Sequence, residues 1–384
     1  MRILFAIHHY VEADSGAAGA TLRLAETLKN RNCEVNFFDF ACAFRNSVDS
    51  TQKAAQFPIR LASHLARHAK AYDIIDASSG DAWAWATLGR PGAARGQGLI
   101  FRSHGLEHTA DRRVREEVRT GKRMLRARYY VYNGGIRLWE VARSMQLADH
   151  AILLNREDYE FSVQQLAIPR AKASIVPHGL PDRLLSLSHL ERPISNPLTI
   201  AFIGAWTDRK GRDCVVSTFA NVPPHRNLRL RLLGTREPAS EVLRFFPQDV
   251  RSRITVIPRF QNNDIEEHLA GCSILLSPSR TEGFNLALLE GMACGLVPLA
   301  TPTGEAPKIV VHGVNGFLAS HDDTNTFSSI IEYLASQPNQ LKALSENARA
   351  AVAPYSWREI GETTLDVYRK ARNSRRLQLA LATS

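Results

Sequence analysis

The stretch that decides the fold covers residues 272–300 and reads CSILLSPSRTEGFNLALLEGMACGLVPLA. It opens with a short apolar run of strand length, and Pro278 ends that strand because proline cannot donate to a sheet ladder. Residues 285–293 are rich in Leu, Ala and Met, which predicts a helix that stops at Gly295. Residues 297–300 form the next strand. This strand–loop–helix–strand order predicts a parallel sheet, and open α/β sheets bind ligands at the carboxyl edge, where the loop lies.

Two glutamates stand out in this stretch. Glu282 lies in the predicted loop, and Glu290 lies on the predicted helix, with seven residues between them. The two carboxylates therefore cannot touch the same atom, but they can contact different parts of one extended ligand. The free N–H groups at the start of the helix suit a diphosphate. Taken alone, the pair also fits one ordinary loop carboxylate and one solvated helix carboxylate.

The surrounding residues resemble the signature of retaining glycosyltransferases of family 4. The pattern is Glu-x7-Glu within Ser-Pro-Ser-x-x-Glu-Gly-Phe, followed by Gly-x-Val-Pro. The resemblance implies an α/β protein with the GT-B fold, in which two Rossmann-like domains with parallel sheets face a central cleft. It implies that Glu282 contacts the donor sugar as a catalytic residue and that Glu290 binds the nucleotide ribose. The diphosphate and sugar would be held by the loop after Glu282, at Gly283, Phe284, Asn285 and Leu286. Asn285 departs from the family, which usually has glycine there.

Two cations precede a second predicted helix. Arg209 and Lys210 follow a strand that ends at Gly204, and two cations there can neutralise a diphosphate, although such a pair is ordinarily a surface feature. The segment resembles the family's phosphate site, except that Ala205 stands where an arginine is common. We therefore expect Arg209 to supply that charge. The resemblance implies a donor site that needs neither a metal nor a cofactor, and the sequence has no Asp-x-Asp pair in a metal-site context.

The first half of the chain matches the family less closely. His104 directly follows a predicted strand, 98–102. A single histidine there is often structural, but the resemblance implies a catalytic residue that faces the donor sugar. Gly16 and Gly19 are predicted in a loop, 8–20; they either close that loop or approach the donor phosphate and the acceptor, as the family's glycine-rich loop does. A Gly-x-Gly-x-x-Gly motif is missing, so no nicotinamide cofactor is expected.

Length and composition predict two domains and a reduced compartment. Length suits two domains, and the resemblance implies an acceptor domain (1–180), a linker (181–197), a donor domain (198–355) and a helix that crosses back to the first domain (356–372), followed by a frayed basic tail (373–384). No run approaches the ~18 apolar residues of a membrane-spanning helix. The five scattered cysteines favour reduced thiols and a cytoplasmic location.

The charge is uneven along the chain. The net charge is +10, and residues 111–130 hold eight Arg or Lys against three acids, which is half of that excess. The segment is either a solvated helical face or a surface for an anionic acceptor or for anionic lipid at the inner face of the membrane. Nucleic acid is not an expected partner, because no recognised nucleic-acid module accompanies the charge.

The sequence therefore predicts a retaining enzyme that moves a hexose-type sugar from a nucleoside diphosphate sugar to a hydroxyl of a glycan or lipid-linked acceptor. One alternative is another enzyme on the same fold, either a nucleotide-sugar epimerase or a glycan phosphorylase. The other is a binding protein for glycans or nucleotides whose catalytic loop has decayed. Retention of both glutamates together with Arg209 and Lys210 argues against decay.

Overall fold

The computed structural model describes residues 1–12, 16–44, 50–94, 96–121, 124–187, 196–223, 227–321 and 323–381. Contacts divide the chain into two compact units. The first unit comprises Met1–Gly179 and Trp357–Ser384, and the second comprises Leu180–Ser356. The predicted linker, 181–197, lies in the second unit where it is described, and its residues 188–195 fall outside the described residues.

The first unit is built on a sheet of six parallel strands in the order β2-β1-β3-β4-β5-β6. The strands are β1 (Arg2–Ala6), β2 (Glu34–Phe38), β3 (Ile74–Ser78), β4 (Gly98–Arg102), β5 (His150–Leu153) and β6 (Ala173–Ile175). The helices of this part are α1 (Gly16–Lys29), α2 (Phe40–Ala43), α3 (Ser50–His68), α4 (Trp83–Thr87), α5 (Glu107–Arg119), α6 (Ala127–Val131), α7 (Leu138–Leu147) and α8 (Arg156–Gln165), and a π-helical turn, Tyr132–Arg137, joins α6 to α7.

The second unit repeats the plan with the strand order β12-β11-β10-β7-β8-β9, again all parallel. Its strands are β7 (Thr199–Ile203), β8 (Arg229–Leu233), β9 (Ile254–Ile257), β10 (Cys272–Ser277), β11 (Val297–Ala300) and β12 (Phe317–Leu318). Its helices are α9 (Asp182–Ser186), α10 (Arg212–Asn221), α11 (Ala239–Leu243), α12 (Ile265–His268), α13 (Leu286–Ala293), α14 (Ala306–Ile309), α15 (Thr324–Ser336) and α16 (Pro338–Val352). The predicted class, α/β with two parallel sheets, is confirmed.

Parallel sheets are covered on both faces, so their strands are apolar throughout. Every residue of β3, β4 and β10 is buried. The charged residues in β3 and β4 are Asp76 and Arg102, which pair across neighbouring strands: Arg102 Nη2 lies 2.7 Å from Asp76 Oδ2. Since a buried charge is costly unless it is paired and hydrogen-bonded, these residues satisfy each other.

The last helix, α17 (Trp357–Leu381), belongs to the first unit. The Tyr368 hydroxyl donates to Asp76 Oδ2 at 2.5 Å, which ties α17 to the sheet. The prediction of a frayed tail from residue 373 is wrong for the described part, because the helix continues to Leu381. Arg372 pairs with Asp73 at 3.1 Å, and the stem of Arg376 lies against Gly96, so the basic residues pack on the first unit.

The predicted loop 8–20 is shorter than expected. Helix α1 begins at Gly16, so Gly16 and Gly19 lie in its first two turns rather than in a loop. Gly19 is buried, whereas nothing surrounds Gly16 within 4 Å of where a side chain would begin. The prediction that Gly16 and Gly19 form a glycine-rich loop is therefore wrong.

Candidate functional site

The carboxyl edge of the second sheet brings together two loops that are far apart in sequence. Strands β7 and β10 are neighbours in that sheet, so the segments that follow them meet at the same edge. The segment after β7 carries Arg209 and Lys210 in a short 3₁₀ turn, and the segment after β10 carries Glu282. This edge is where open parallel sheets bind ligands.

Glu282 is the centre of this arrangement. Its Oε1 atom lies 2.5 Å from Lys210 Nζ and accepts a hydrogen bond from Ser279 Oγ at 2.6 Å. Its Oε2 atom lies 3.3 Å from Arg209 Nη1, which also donates to the carbonyl of Thr281 at 3.0 Å. The Glu282 side chain is 7% exposed and that of Lys210 is 14% exposed, whereas that of Arg209 is 56% exposed. The Lys210 pair is therefore the better shielded from solvent.

The charges of the site favour an ionised carboxylate. Burial alone would raise the pKa of Glu282, but the attraction of Lys210 and Arg209, with hydrogen bonds from Lys210 and Ser279, lowers the pKa below its ordinary value. Glu282 is therefore an acceptor of hydrogen bonds at neutral pH, not a proton donor. Such a carboxylate can orient hydroxyl groups of a sugar.

Two glycines allow the loops to approach each other. Gly211 follows Lys210 in the left-handed region, with φ +77°, and a Cβ atom there would lie 2.1 Å from the carbonyl oxygen of Pro278. Gly304 has φ +58°, and a Cβ atom there would lie 3.1–3.4 Å from the Cβ atom and the backbone carbonyl of Glu282. Both positions combine a positive φ with a crowded Cβ site, so larger residues would force the loops apart.

Helix α13 begins one residue later than predicted, at Leu286, and Asn285 precedes it. Asn285 has φ +74° and ψ +64°, a conformation that glycine and asparagine adopt most readily. Its Nδ2 atom donates to Ser277 Oγ at 3.0 Å, while its buried Oδ1 atom has no hydrogen-bond partner among the described residues. The asparagine that replaces the family's usual glycine is therefore compatible with the backbone this turn requires.

The other predicted donor-site residues divide into side chains and backbone. Glu290 lies on α13 and is buried, one turn beyond Leu286. The ring of Phe284 packs towards Tyr355, with ring centres 6.2 Å apart. The Phe284 side chain thus belongs to the core. Only the backbone of Phe284 is left for the predicted role of holding the diphosphate and sugar. The N–H groups of Leu286 and its successors in the first turn have no acceptor within the helix.

His104 lies in the first unit, directly after β4. Its Nε2 atom is 3.1 Å from Ser78 Oγ, and its ring stacks on His178 with centres 6.0 Å apart. Burial lowers the pKa of His104 well below its usual value, and His178 and Arg102 lower it further, so the ring is neutral at pH 7. The carboxylates and cations of the donor segment lie in the second unit.

Half of the basic residues in the basic segment, 111–130, are paired with acids. Four of its arginines form ion pairs with acids: Arg112 and Arg113 with Glu157, Arg115 with Asp111, and Arg119 with Glu116. Lys122 and Arg123 lie outside the described residues. Arg126 and Arg128 are exposed and have no ion pair among the described residues.

Sequence reasoning missed several residues that shape the site. Ser279 donates to Glu282 through its hydroxyl, and its carbonyl accepts from Thr301 Oγ1 at 2.5 Å, which anchors the loop to the end of β11. A serine in a loop carries no signal of such a role by itself. In the described parts of the chain, no group of three His, Cys, Asp or Glu side chains is arranged to hold a metal ion. Nor does any described helix have the length and apolar character needed to cross a bilayer.

Residues 197–337 match the family model "Glycosyl transferases group 1". Among curated relatives, alpha-maltose-1-phosphate synthase of Mycolicibacterium smegmatis is 30% identical over 194 residues, which are 47% of this chain and 49% of that protein. The chain spans about half the length of the curated relatives it matches.

Solved structures match over nearly the whole chain. Sucrose-phosphate synthase from Thermosynechococcus elongatus superposes with a TM-score of 0.78 at 18% identity, covering 96% of this chain and 98% of that one. Anabaena HepE in complex with UDP-glucose gives a TM-score of 0.68 at 17% identity, covering 96% and 99%. Residues 197–337 therefore belong to the glycosyl transferases group 1 family, and the fold of the chain is the GT-B fold of glycosyltransferases.

Proposed function

We propose that this protein is a retaining glycosyltransferase of family 4 that moves a sugar from a nucleoside diphosphate sugar to a hydroxyl of a glycan or lipid-linked acceptor. The observation that carries the proposal is the convergence of Lys210 and Arg209 on Glu282 at the carboxyl edge of the second sheet. Cations and a sugar-orienting carboxylate at one edge are the two elements that transfer from such a donor requires.

The cations have donor capacity beyond their contacts with Glu282. A lysine ammonium has three N–H donors and an arginine guanidinium has five, while Lys210 uses one on Glu282 and Arg209 also holds the Thr281 carbonyl. The remaining donors can bind the diphosphate. As the bond to the sugar breaks, negative charge grows on that leaving group, and fixed cations stabilise it. We propose that these side chains replace a metal ion and that no cofactor takes part.

A solved structure of the same fold favours a nucleoside diphosphate sugar as donor, of which a uridine diphosphate sugar is one example. The solved HepE complex holds UDP-glucose, and it shares the fold of this chain. On this proposal Glu282 orients the hydroxyls of the donor sugar, and Glu290 binds the ribose. The neutral His104 forms a hydrogen bond with the sugar, either as donor or as acceptor. An epimerase or a phosphorylase would use the same donor edge, so the products distinguish these alternatives.

The proposal is tested by donor binding and by product analysis. Thermal unfolding of the parent is followed with UDP-, GDP- and ADP-sugars, since a ligand that binds only the folded state raises its stability. Lys210→Ala should lose the shift given by the active donor, whereas Lys342→Ala, which removes an exposed lysine from α16, should keep it. Product NMR then reports the anomeric configuration. No shift with any nucleoside diphosphate sugar, or a sugar product that is only epimerised, would contradict the proposal.

A chelator separates protein cations from a bound metal. The parent should keep its turnover in EDTA, because Lys210 and Arg209 supply the positive charge. Complete loss that is restored by added Mg²⁺ or Mn²⁺ would show that a metal is required. Lys210→Ala in the same assay should lose most of its turnover whether or not a metal is added.

We also propose that the enzyme contacts an anionic membrane surface through the segment 126–139. Around the exposed Arg126 and Arg128 lie large apolar side chains that face solvent: Tyr130 (43% exposed), Val131 (65%), Ile136 (49%) and Trp139 (53%). Exposed aromatic and aliphatic residues beside arginine are the pattern of interfacial membrane segments. This segment shares only residues 126–130 with the predicted 111–130, because the four arginines of α5 are paired with acids.

Sedimentation with vesicles tests the contact. The parent should bind phosphatidylcholine vesicles that contain phosphatidylglycerol more tightly than vesicles of phosphatidylcholine alone. The pair Arg126→Ser and Val131→Ser should weaken that binding. A control pair, Lys29→Ser and Lys70→Ser, removes two exposed lysines elsewhere on the first unit and should bind as the parent does. The control pair removes two positive charges and the test pair removes one, so a loss at least as large in the control pair would mean that net charge alone acts.

A cytoplasmic location is part of the proposal. None of the five cysteines forms a disulfide, and one of them, Cys42, is exposed. Cysteines that remain thiols are the rule in reducing compartments such as the cytosol. The membrane contact would then be at the cytoplasmic face.

A further inference from the structure

A second polar cluster lies at the carboxyl edge of the first sheet. His8 follows β1, Ser79 and Asp81 follow β3, and Glu107 opens α5 after β4. The chain runs from β1 to β2 on one side of β1 and then to β3 on its other side, so the order of strands reverses between β1 and β3. Ligands of open parallel sheets bind in the crevice at such a reversal.

His8 joins two charged residues in this cluster. Its Nδ1 atom lies 2.7 Å from Asp81 Oδ1, and its backbone N–H donates to Asp81 Oδ2 at 3.1 Å. Its Nε2 atom lies 3.4 Å from Nη2 of Arg137. A guanidinium has only donors, so Nε2 must be the acceptor and Nδ1 carries the proton. His8 is thereby held as one neutral tautomer between Asp81 and Arg137.

Arg137 connects this pair to further carboxylates. Its Nη2 atom lies 3.1 Å from Glu107 Oε1, and its Nη1 atom lies 3.4 Å from Glu140 Oε2. Glu107 also accepts a hydrogen bond from the Ser79 hydroxyl. Asp81 and Glu140 are almost fully buried, whereas the side chains of Glu107 and His8 are 29% and 17% exposed. The buried members and His8 position Glu107, the carboxylate that a ligand can reach.

The backbone is strained and crowded where it carries this cluster. Ser79 has φ +50°, which is uncommon for a residue with a side chain and occurs most often at functional sites. A Cβ atom on the next residue, Gly80, would lie 3.0 Å from Arg137 Nη1 and 3.1 Å from Glu140 Cβ. The turn thus brings the end of β3 directly against the π-helical turn that carries Arg137.

The charge of the cluster selects among ligands. Three carboxyl groups, those of Asp81, Glu107 and Glu140, surround one guanidinium. Burial raises the pKa of Glu140, against the attraction of Arg137, and with Glu140 neutral two carboxylates still face one cation. Burial lowers the pKa of the neighbouring His9 to about 4, so it adds no charge at neutral pH. A phosphate or carboxylate ligand would be repelled, whereas hydroxyl groups can donate to these oxygens.

We infer that Glu107, positioned by Arg137 and by the His8–Asp81 pair, binds a hydroxyl group of an uncharged sugar or polyol acceptor at the switch point of the first sheet. The inference rests on the proposed transferase function and specifies its acceptor. Glu107 accepts from one hydroxyl with its free lone pairs, and the guanidinium holds the carboxylate in place. The part of the acceptor that enters this site carries no phosphate.

The experiment measures acceptor binding apart from catalysis. Saturation-transfer NMR on the full chain uses three neutral probes, methyl α-D-glucopyranoside, methyl α-D-mannopyranoside and myo-inositol, each beside its monophosphate. At least one neutral probe should bind more tightly than its monophosphate. Glu107→Gln keeps the size of the side chain and removes its charge. It should lower the affinity for that probe by about tenfold or more, because a hydrogen bond to a charged group is lost.

A matched control is present on the same helix. Glu116→Gln removes an exposed carboxylate of α5 that pairs with Arg119, and it should bind the probes as the parent does. Nucleoside diphosphate binding is measured in all three proteins and should be unchanged in both variants, since Glu107 and Glu116 belong to the first unit and the proposed donor residues to the second.

Three results would overturn the inference: no neutral probe binds, a monophosphate binds more tightly than its neutral partner, or Glu107→Gln binds like the parent. Any of these with nucleoside diphosphate binding intact leaves the proposed function standing. Failure of the parent to bind any nucleoside diphosphate sugar would instead remove the proposed function on which the inference rests.

Discussion

At the scale of single residues, the two glutamates of the donor segment are in different surroundings. Glu282 is held by Lys210, Arg209 and Ser279 at the end of β10, whereas Glu290 is buried on α13. Because the two glutamate carboxylates lie in different surroundings, we expect them to bind different parts of a ligand.

We predict that Glu290→Ala weakens nucleotide binding and that Glu282→Ala mainly lowers turnover. Loss of a hydrogen bond to a charged group costs about 1.5–3 kcal/mol, which is roughly a 10- to 150-fold effect. Calorimetry gives the Kd of the nucleoside diphosphate, and steady-state kinetics give kcat for both variants. If the two substitutions change Kd and kcat in the same proportion, the division of roles is wrong.

Asn285 gives a second prediction at this scale. Because its φ is +74°, Asn285→Ala should destabilise the protein by about 1–2 kcal/mol, the usual cost of a left-handed residue with a plain side chain. Asn285→Gly, which restores the residue usual in the family, removes that cost although it loses the hydrogen bond to Ser277. Urea unfolding gives the free energy of unfolding of the parent and of the two variants. A glycine variant less stable than the alanine variant would mean that the hydrogen bond outweighs the backbone.

At the scale of elements, the donor site depends on the close approach of the β7–α10 and β10–α13 connections. A backbone hydrogen bond of 2.9 Å from Arg280 N–H to Arg209 O joins them, and Gly211 faces Pro278. The cations reach Glu282 only because the two connections touch.

We predict that Gly211→Ala separates these connections, lowers donor affinity and destabilises the second unit. Gly271→Ala is the matched control, because Gly271 has nearly the same φ, +76°, but nothing within 4 Å of its Cβ position. Both variants carry the left-handed backbone cost of about 1–2 kcal/mol, and only Gly211→Ala adds a clash. Thermal unfolding and nucleoside diphosphate affinity are measured for both. Equal affinity in the two variants would show that the approach of the loops does not control donor binding.

At the scale of the whole molecule, the net charge of +10 makes the proposed membrane contact sensitive to salt. The Debye length falls from about 10 Å at 0.1 M to about 3 Å at 1 M, so binding to anionic vesicles should decrease strongly over that range. The exposed apolar residues, such as Val131 and Trp139, should leave a residual binding that salt does not remove. Vesicle sedimentation across a salt series measures both parts. Binding that is independent of salt would contradict the electrostatic part.

The amino-acid sequence by itself determined the fold class and the family of the second unit. Apolar runs of strand length, the proline and glycines at their ends, and the Glu-x7-Glu spacing are local patterns, and local patterns are readable without a structure. The same patterns correctly placed Glu282 in a loop and Glu290 on a helix. They misjudged where helices begin and end, at Gly16 and beyond residue 373, because those boundaries depend on packing as well as on propensity.

Only the tertiary structure decided which residues meet. Lys210 and Glu282 are 72 positions apart, and His8 and Asp81 are 73 apart, so no periodicity links them. Parallel strands bring their carboxyl ends to one edge, and that geometry assembles each cluster from loops whose sequences are unrelated. Long-range pairing also brings Glu157 to Arg112 and Arg113 of α5, whereas Arg115 and Arg119 pair with acids of their own helix. Charge and site chemistry therefore follow from contacts between distant residues, and these are set when the chain folds.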